Sequence, residues 1–298
     1  MTCLESESCT VSIDGVQLHV QLSGPPDAAV ILMAHGLGND LHLWDEQASH
    51  FMHDYRVVRF DAYGHGKTSG SLRGRLDLHI LAAHVIGVMN ALQIEQGILM
   101  GTSMGAVIGL AAAARAPQRF SHLVLSGARL HTRPAAVQEM LARAANARRD
   151  GLASVADAMM QRWFPQEGLP VPKEVIDEIK STLLGTNPDI YAACAGALVD
   201  YDLRPALRTL SMPVLLVSGE LDEDIPQLFE MLAAELPGLT VSTMRAVGHF
   251  PNLQNVAAFN TLVCNFLATN YSAVRNIGDR RSLEELTNEP AVFLPFVQ

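Results

Sequence analysis

Residues 97–110 read GILMGTSMGAVIGL. One serine, Ser103, stands between Gly101 and Gly105 in a G-x-S-x-G pattern. GILM has the length and composition of a strand buried on both faces. MGAVIGLAAAA reads as a helix whose small side chains let it pack close to a sheet. A sharp strand-to-helix turn leaves little room beside the serine, and the two glycines supply it. The same turn aims the Met104 N–H, at the helix N-terminus, toward charge developing on a bound carbonyl. The five-residue pattern alone is weak, because an ordinary tight turn with an N-cap serine produces it too. Its value comes from the strand before it and the helix after it.

Similar apolar runs lie on either side: Ala29–Ala34, Arg56–Phe60, His122–Leu125, Val214–Val217 and Val241–Met244. Helical patterns separate them, including Leu76–Gln93 and Met104–Ala116. Strand alternating with helix predicts an α/β fold, a mostly parallel twisted sheet flanked by helices. Ligands in such sheets sit beyond the C-terminal ends of the strands, so the residues just after each run carry the most information. No strand pattern appears from 130 to 203. Helices broken at Asp150-Gly151, a proline-rich break at Pro165, Pro170 and Pro172, and further helices at Lys173–Leu184 and Asp189–Val199 predict a helical cap inserted between two strands. The expected division is a core of 1–129 and 204–272, a cap of 130–203 and a C-terminal tail of 273–298.

Composition sets limits on function. The 298 residues are 49% hydrophobic and 17% charged, with a formal net charge of −10. That describes a globular chain with a large core and no basic surface to meet nucleic-acid phosphates. No apolar run reaches the roughly 18 residues of a membrane span. The N-terminus MTCLESESCT has neither the charge nor the apolar stretch of a signal peptide, so a cytoplasmic protein is expected. Cys3, Cys9, Cys194 and Cys264 form no C-x-x-C pair and read as free thiols. No H-x-H or H-E-x-x-H pattern is present, so neither metal nor cofactor is expected. The tail leaves a homodimer open.

A serine nucleophile needs a base, and the base needs an orienting acid. Of 11 histidines, His249 sits best, on a loop after the last strand run. His35 differs: in His35-Gly36-Leu37-Gly38 the glycines allow a sharp turn that brings the Leu37 N–H beside that of Met104 as an oxyanion hole. His65 reads as the brace of a turn. The acid should follow a strand, and Val214–Val217 runs into SGELDED. Asp222 is the preferred acid, with Asp224 and Glu220 as rivals.

The segments HGLG, DAYGHG, GTSMGA, VSGELD and AVGHF, in that order, resemble the α/β-hydrolase superfamily over about residues 11–270. The order Ser103, Asp222, His249 is the one that superfamily uses. LHLWDEQ, YRVVRFDAYGHGKTS, RWF and YDLRPALRTLSMPVLLVSGELD are similar to 3-oxoadipate enol-lactonases. The departures are His35-Gly36, where those lactonases often carry Asn-Ser, and the tail. The resemblance implies a serine hydrolase acting on a small ester or lactone through an acyl-enzyme. Superfamily members with aspartate at the elbow do different chemistry, which Ser103 excludes. A C–C hydrolase of ring-cleavage products uses the same triad, and a non-catalytic small-molecule receptor can share the fold. Trp44, Arg129, Trp163 and Phe250 are the expected substrate-binding residues. Arg133 and Arg162 are further cations that could meet a substrate carboxylate.

Overall fold

A computed structural model describes residues 6–270 except 73 and 237. The tail at 273–298 and Cys3 lie outside the described residues. β1 (Glu7–Ile13) and β2 (Val16–Ser23) form an antiparallel hairpin. Its two-residue loop is Asp14-Gly15, both at positive φ, which matches the right-handed twist of the strands. This hairpin was not among the expected strands, although Asp-Gly between alternating apolar residues is its local signal. Then follow β3 (Val30–Ala34), α1 (Asp45–Phe51), β4 (Arg56–Phe60), the short β5 (Ser69–Gly70) and α2 (Leu78–Ala91). The Asp77 side chain caps α2 by accepting from the Ile80 N–H. β6 (Gly97–Thr102), α3 (Met104–Arg115) and β7 (Phe120–Ser126) complete the first half.

Four helices follow β7 in succession: α4 (Pro134–Asp150), α5 (Ala153–Trp163), α6 (Lys173–Gly185) and α7 (Pro188–Ala197). The break at Asp150-Gly151 falls as expected, with Gly151 at φ 79. Between 130 and 203 the only pairing among described residues is an isolated bridge from His131 to Asp202. The chain then runs through α8 (Arg204–Leu207), β8 (Val214–Gly219), α9 (Ile225–Glu235), β9 (Leu239–Met244), α10 (Pro251–Gln254) and α11 (Val256–Thr269).

The sheet order is β1-β2-β4-β3-β6-β7-β8-β9, with β5 paired to β2. β4, β3, β6, β7, β8 and β9 run parallel; the pairs involving β1, β2 or β5 are antiparallel. Every residue of β6, β7 and β8 is buried, which explains why these strands read as continuous apolar runs. The order turns back between β3 and β6, since the chain places β4 on one side of β3 and β6 on the other. A crevice opens at such a switch point, beyond the strand C-termini. Ala34 pairs with Gly101, so the turns carrying Leu37 and Ser103 leave the sheet side by side.

Candidate active site

Ser103 sits between β6 and α3 at φ 53 and ψ −118, a backbone conformation that costs energy for a residue with a side chain. Packing holds it there. Its N–H donates to the Ser126 carbonyl at 2.8 Å, and its own carbonyl accepts from Ala106 and Val107. A Cβ on Gly101 would lie 2.5 Å from the Gly105 carbonyl oxygen, and one on Gly105 would lie 2.0 Å from that of Ala34. Both glycines are therefore required by close backbone approach.

The loops after β8 and β9 supply the other two groups. Asp222 presents its two carboxylate oxygens to Nδ1 of His249 at 2.9 and 3.0 Å. Asp222 is 1% exposed and His249 5%. Burial pushes the Asp222 carboxyl up, but the His249 ring, Arg162 and Arg129 together outweigh it and hold the carboxyl below its ordinary value. The carboxylate fixes Nδ1 as the protonated nitrogen and leaves Nε2 to accept. The rival acids are engaged elsewhere: Glu220 accepts from the Ala246 N–H, and Asp224 pairs with Arg129 and Arg133.

Ser103, His249, Leu37 and Met104 share the wall of one cavity of about 90 Å³. No hydrogen bond joins Ser103 to His249 among those the described residues make; such pairs often tighten only around a substrate. Met104 is the first residue of α3, where backbone N–H groups have no partner within the helix. The turn bearing Leu37 is braced by two histidines. Nε2 of His35 accepts from the Ala62 N–H at 2.9 Å, and Nε2 of His65 accepts from the Gly38 N–H at 3.0 Å. Backbone N–H groups can only donate, so both rings are neutral with Nδ1 protonated. Burial lowers both histidines, His65 to about 3.

The expected substrate residues divide. Trp163 lines the cavity. Arg129 reaches it too, but its guanidinium is bonded to Glu223 and Asp224. Trp44 does not reach it: the ring is fully buried against Phe259, because the loop after β3 turns it into the core. Phe250 is also fully buried, behind His249, with ring contacts to His249, Trp163 and Phe164. It packs against His249 and does not line the cavity. Arg133 and Arg162, like Arg129, are paired with acids.

A residue missed in the sequence is Arg143. It lines the cavity from α4, with Ala136, Glu139 and Met140 on the same helical face. Its Nε donates to the Tyr191 hydroxyl at 3.1 Å, and no carboxylate pairs with it among the described residues. The three- and four-residue spacing of that face was legible, but which face of α4 looks into a cavity was not. Among the described residues no group of three or more His, Cys, Asp or Glu is placed to hold a metal, and no helix is long and apolar enough to cross a membrane.

Comparison with known proteins identifies the fold family. A family model described as alpha/beta hydrolase fold matches residues 29–256. The 3-oxoadipate enol-lactonase 2 of Acinetobacter baylyi is 29% identical over 85% of this chain and 94% of its own. The crystal structure of the enol-lactonase from Burkholderia xenovorans superposes with a TM-score of 0.80 at 28% identity, covering 87% of this chain and 99% of that one. A hydrolase from Pseudomonas aeruginosa gives 0.78 at 29% identity, covering 88% and 98%.

Proposed function

The chain belongs to the alpha/beta hydrolase fold family and is a hydrolase, and from that premise we propose that it cleaves a small carboxylic ester or lactone through an acyl-enzyme on Ser103. The observation that carries this reading is the buried Asp222–His249 pair on the same cavity as a serine held at positive φ.

In this mechanism His249 Nε2 takes the proton from Ser103 Oγ as the oxygen attacks the carbonyl. Asp222 holds the ring and stabilises the imidazolium. The Leu37 and Met104 N–H groups meet the oxyanion, each worth on the order of 3 kcal/mol. His249 then returns its proton to the departing alkoxide, which in a lactone stays tethered. Water deprotonated by His249 releases the acid and restores Ser103. No step calls for a metal or cofactor.

Helices α4–α7, the segment 130–203, serve as a cap over the core of 1–129 and 204–272. The cavity lining bears on the substrate class. Met140, Met159, Leu198 and Trp163 make much of it apolar, and Arg143 is the cation available to a substrate carboxylate. Enol-lactone hydrolysis, the activity in the names of the relatives, falls within this class.

Labelling by a fluorophosphonate tests the reading. One equivalent should attach to the wild type and none to Ser103→Ala. A burst of p-nitrophenol from p-nitrophenyl acetate, lost in the same variant, would report the acyl-enzyme. Equal labelling of both proteins would refute the nucleophile. Bleaching of a ring-cleavage dienone faster than any ester or lactone would replace ester cleavage with C–C cleavage.

A further inference from the structure

The C-terminal end of α5 holds both loops that carry the acid and the base. On one side, the Trp163 carbonyl accepts from the His249 N–H at 3.1 Å. On the other, Arg162 closes on Glu223, the residue after Asp222, with Nε 2.6 Å from Oε1 and a terminal amino group donating to Oε2 at 3.3 Å. The contact at Gly248, next to His249, is equally close: a Cβ there would lie 2.7 Å from the Trp163 carbonyl. Two consecutive residues of one helix thus grip two loops from separate strands.

Glu223 is an unusual residue to grip. It sits at φ 46, in the left-handed region that side chains avoid, directly between Asp222, which is buried, and the half-exposed Asp224. Such a conformation persists only where its surroundings over-determine it. Here two arginines do so. Arg129, from the loop after β7, donates to the same Glu223 Oε2 at 2.6 Å. Burial raises the Glu223 carboxyl, but Arg162 and Arg129 outweigh burial and keep it ionised.

We propose that the Arg162–Glu223 pair is a positioning device through which α5 sets the placement of Asp222 and His249, so that the helices over the cavity and the acid–base pair move as one unit. The proposal rests on the serine-hydrolase reading above. Trp163 lines the cavity and leads directly into this contact, so whatever fills the cavity presses on the element that aligns the base. Arg162 and Glu223 are positioning residues that act through Asp222.

The test compares wild type with Glu223→Gln, Arg162→Gln, Arg162→Lys and the double Gln variant, using p-nitrophenyl acetate and a fluorophosphonate. Glu223→Gln should slow the acylation burst roughly 10- to 100-fold, as a small misplacement of a catalytic group does, while KM changes less than about threefold. The low-pH limb of kcat/KM should move to lower pH, because the imidazolium loses a well-placed carboxylate and faces two unneutralised arginines. Arg162→Lys, which keeps the charge but not the planar fork, should fall between wild type and Arg162→Gln. The double variant should be no worse than the worse single one, as expected of coupled residues.

A purely structural role would instead lower Tm and the number of titratable sites, with the rate per titrated site and the pH limb unchanged, and that result overturns the proposal. Should Glu223→Gln not fold, Arg162→Lys carries the same test. Labelling of Ser103→Ala at the wild-type rate would sink the Ser103 nucleophile reading on which the proposal rests. A silent Ser103→Ala beside an unimpaired Glu223→Gln would sink only the positioning role.

Discussion

Asp222 brings both carboxylate oxygens within 3.0 Å of one ring nitrogen of His249. The pair is almost fully buried. With Nδ1 committed to this contact, Nε2 is free to take a proton. Asp222→Asn keeps the shape and loses the charge. It should cut kcat roughly 10³- to 10⁴-fold by allowing the wrong tautomer, while circular dichroism stays that of wild type. Steady-state kinetics on p-nitrophenyl acetate gives the answer, and a loss under about tenfold would assign the orienting role elsewhere.

Gly105 and Gly196 make a matched pair of alanine substitutions. A Cβ at Gly105 meets the Ala34 carbonyl oxygen at 2.0 Å, whereas one at Gly196, in α7, meets nothing within 4 Å. Gly105→Ala forces α3 away from β3 and should lower Tm by roughly 5–10 °C. Gly196→Ala should raise it by about 1–3 °C, since alanine is the better helix former. Thermal unfolding followed by circular dichroism reads both signs.

Arg143 should discriminate by substrate charge. Arg143→Gln removes a hydrogen-bonding cation worth about 1.5–3 kcal/mol to an anionic substrate. We expect KM for mono-p-nitrophenyl succinate to rise about tenfold or more, and that for p-nitrophenyl acetate to stay within about twofold. Equal effects on both esters would remove Arg143 from carboxylate recognition.

His65 adds a pH dependence to stability. The folded protein holds it neutral down to about pH 3, while the unfolded chain takes up a proton near the ordinary value of 6.5. The unfolded state therefore binds more protons between these values. The stabilisation is complete above about pH 6.5 and is lost as pH falls toward 3. From pH 7 to 5 this residue alone forfeits about 2 kcal/mol. His65→Gln keeps an acceptor for the Gly38 N–H without the titration. Its urea unfolding free energy should fall less than that of wild type over the same range, by about that amount. Parallel pH dependences in the two proteins would rule out this contribution.

Much of the site could be read along the chain because its signals are local. A nucleophile elbow needs a strand, two small residues and a helix in immediate succession, and GILMGTSMGAVIGL spells that order out. The proline-rich break and the Asp150-Gly151 turn likewise marked the helical segment before any packing was known. The β1–β2 hairpin was passed over because an alternating, half-exposed strand is quieter than a continuous apolar run. Side chains aimed at a cavity were the least legible. Trp44 and Trp163 look alike as large residues near loops, yet one is core and the other is wall.

Periodicity and glycine spacing are properties of neighbouring residues, so the chain alone carried the α/β architecture and the position of the candidate elbow. The choice among Glu220, Asp222 and Asp224 required three dimensions. All three follow β8 within five residues, and what separates them is the neighbour each finds: a backbone amide, the His249 ring or a pair of arginines. The same holds for the arginines. Arg129, Arg133 and Arg162 are spent on carboxylates far away in sequence, and Arg143 stays available because no acid reaches it among the described residues. Charge pairing acts across space over a few ångströms, so folding alone decides which charges remain for a substrate.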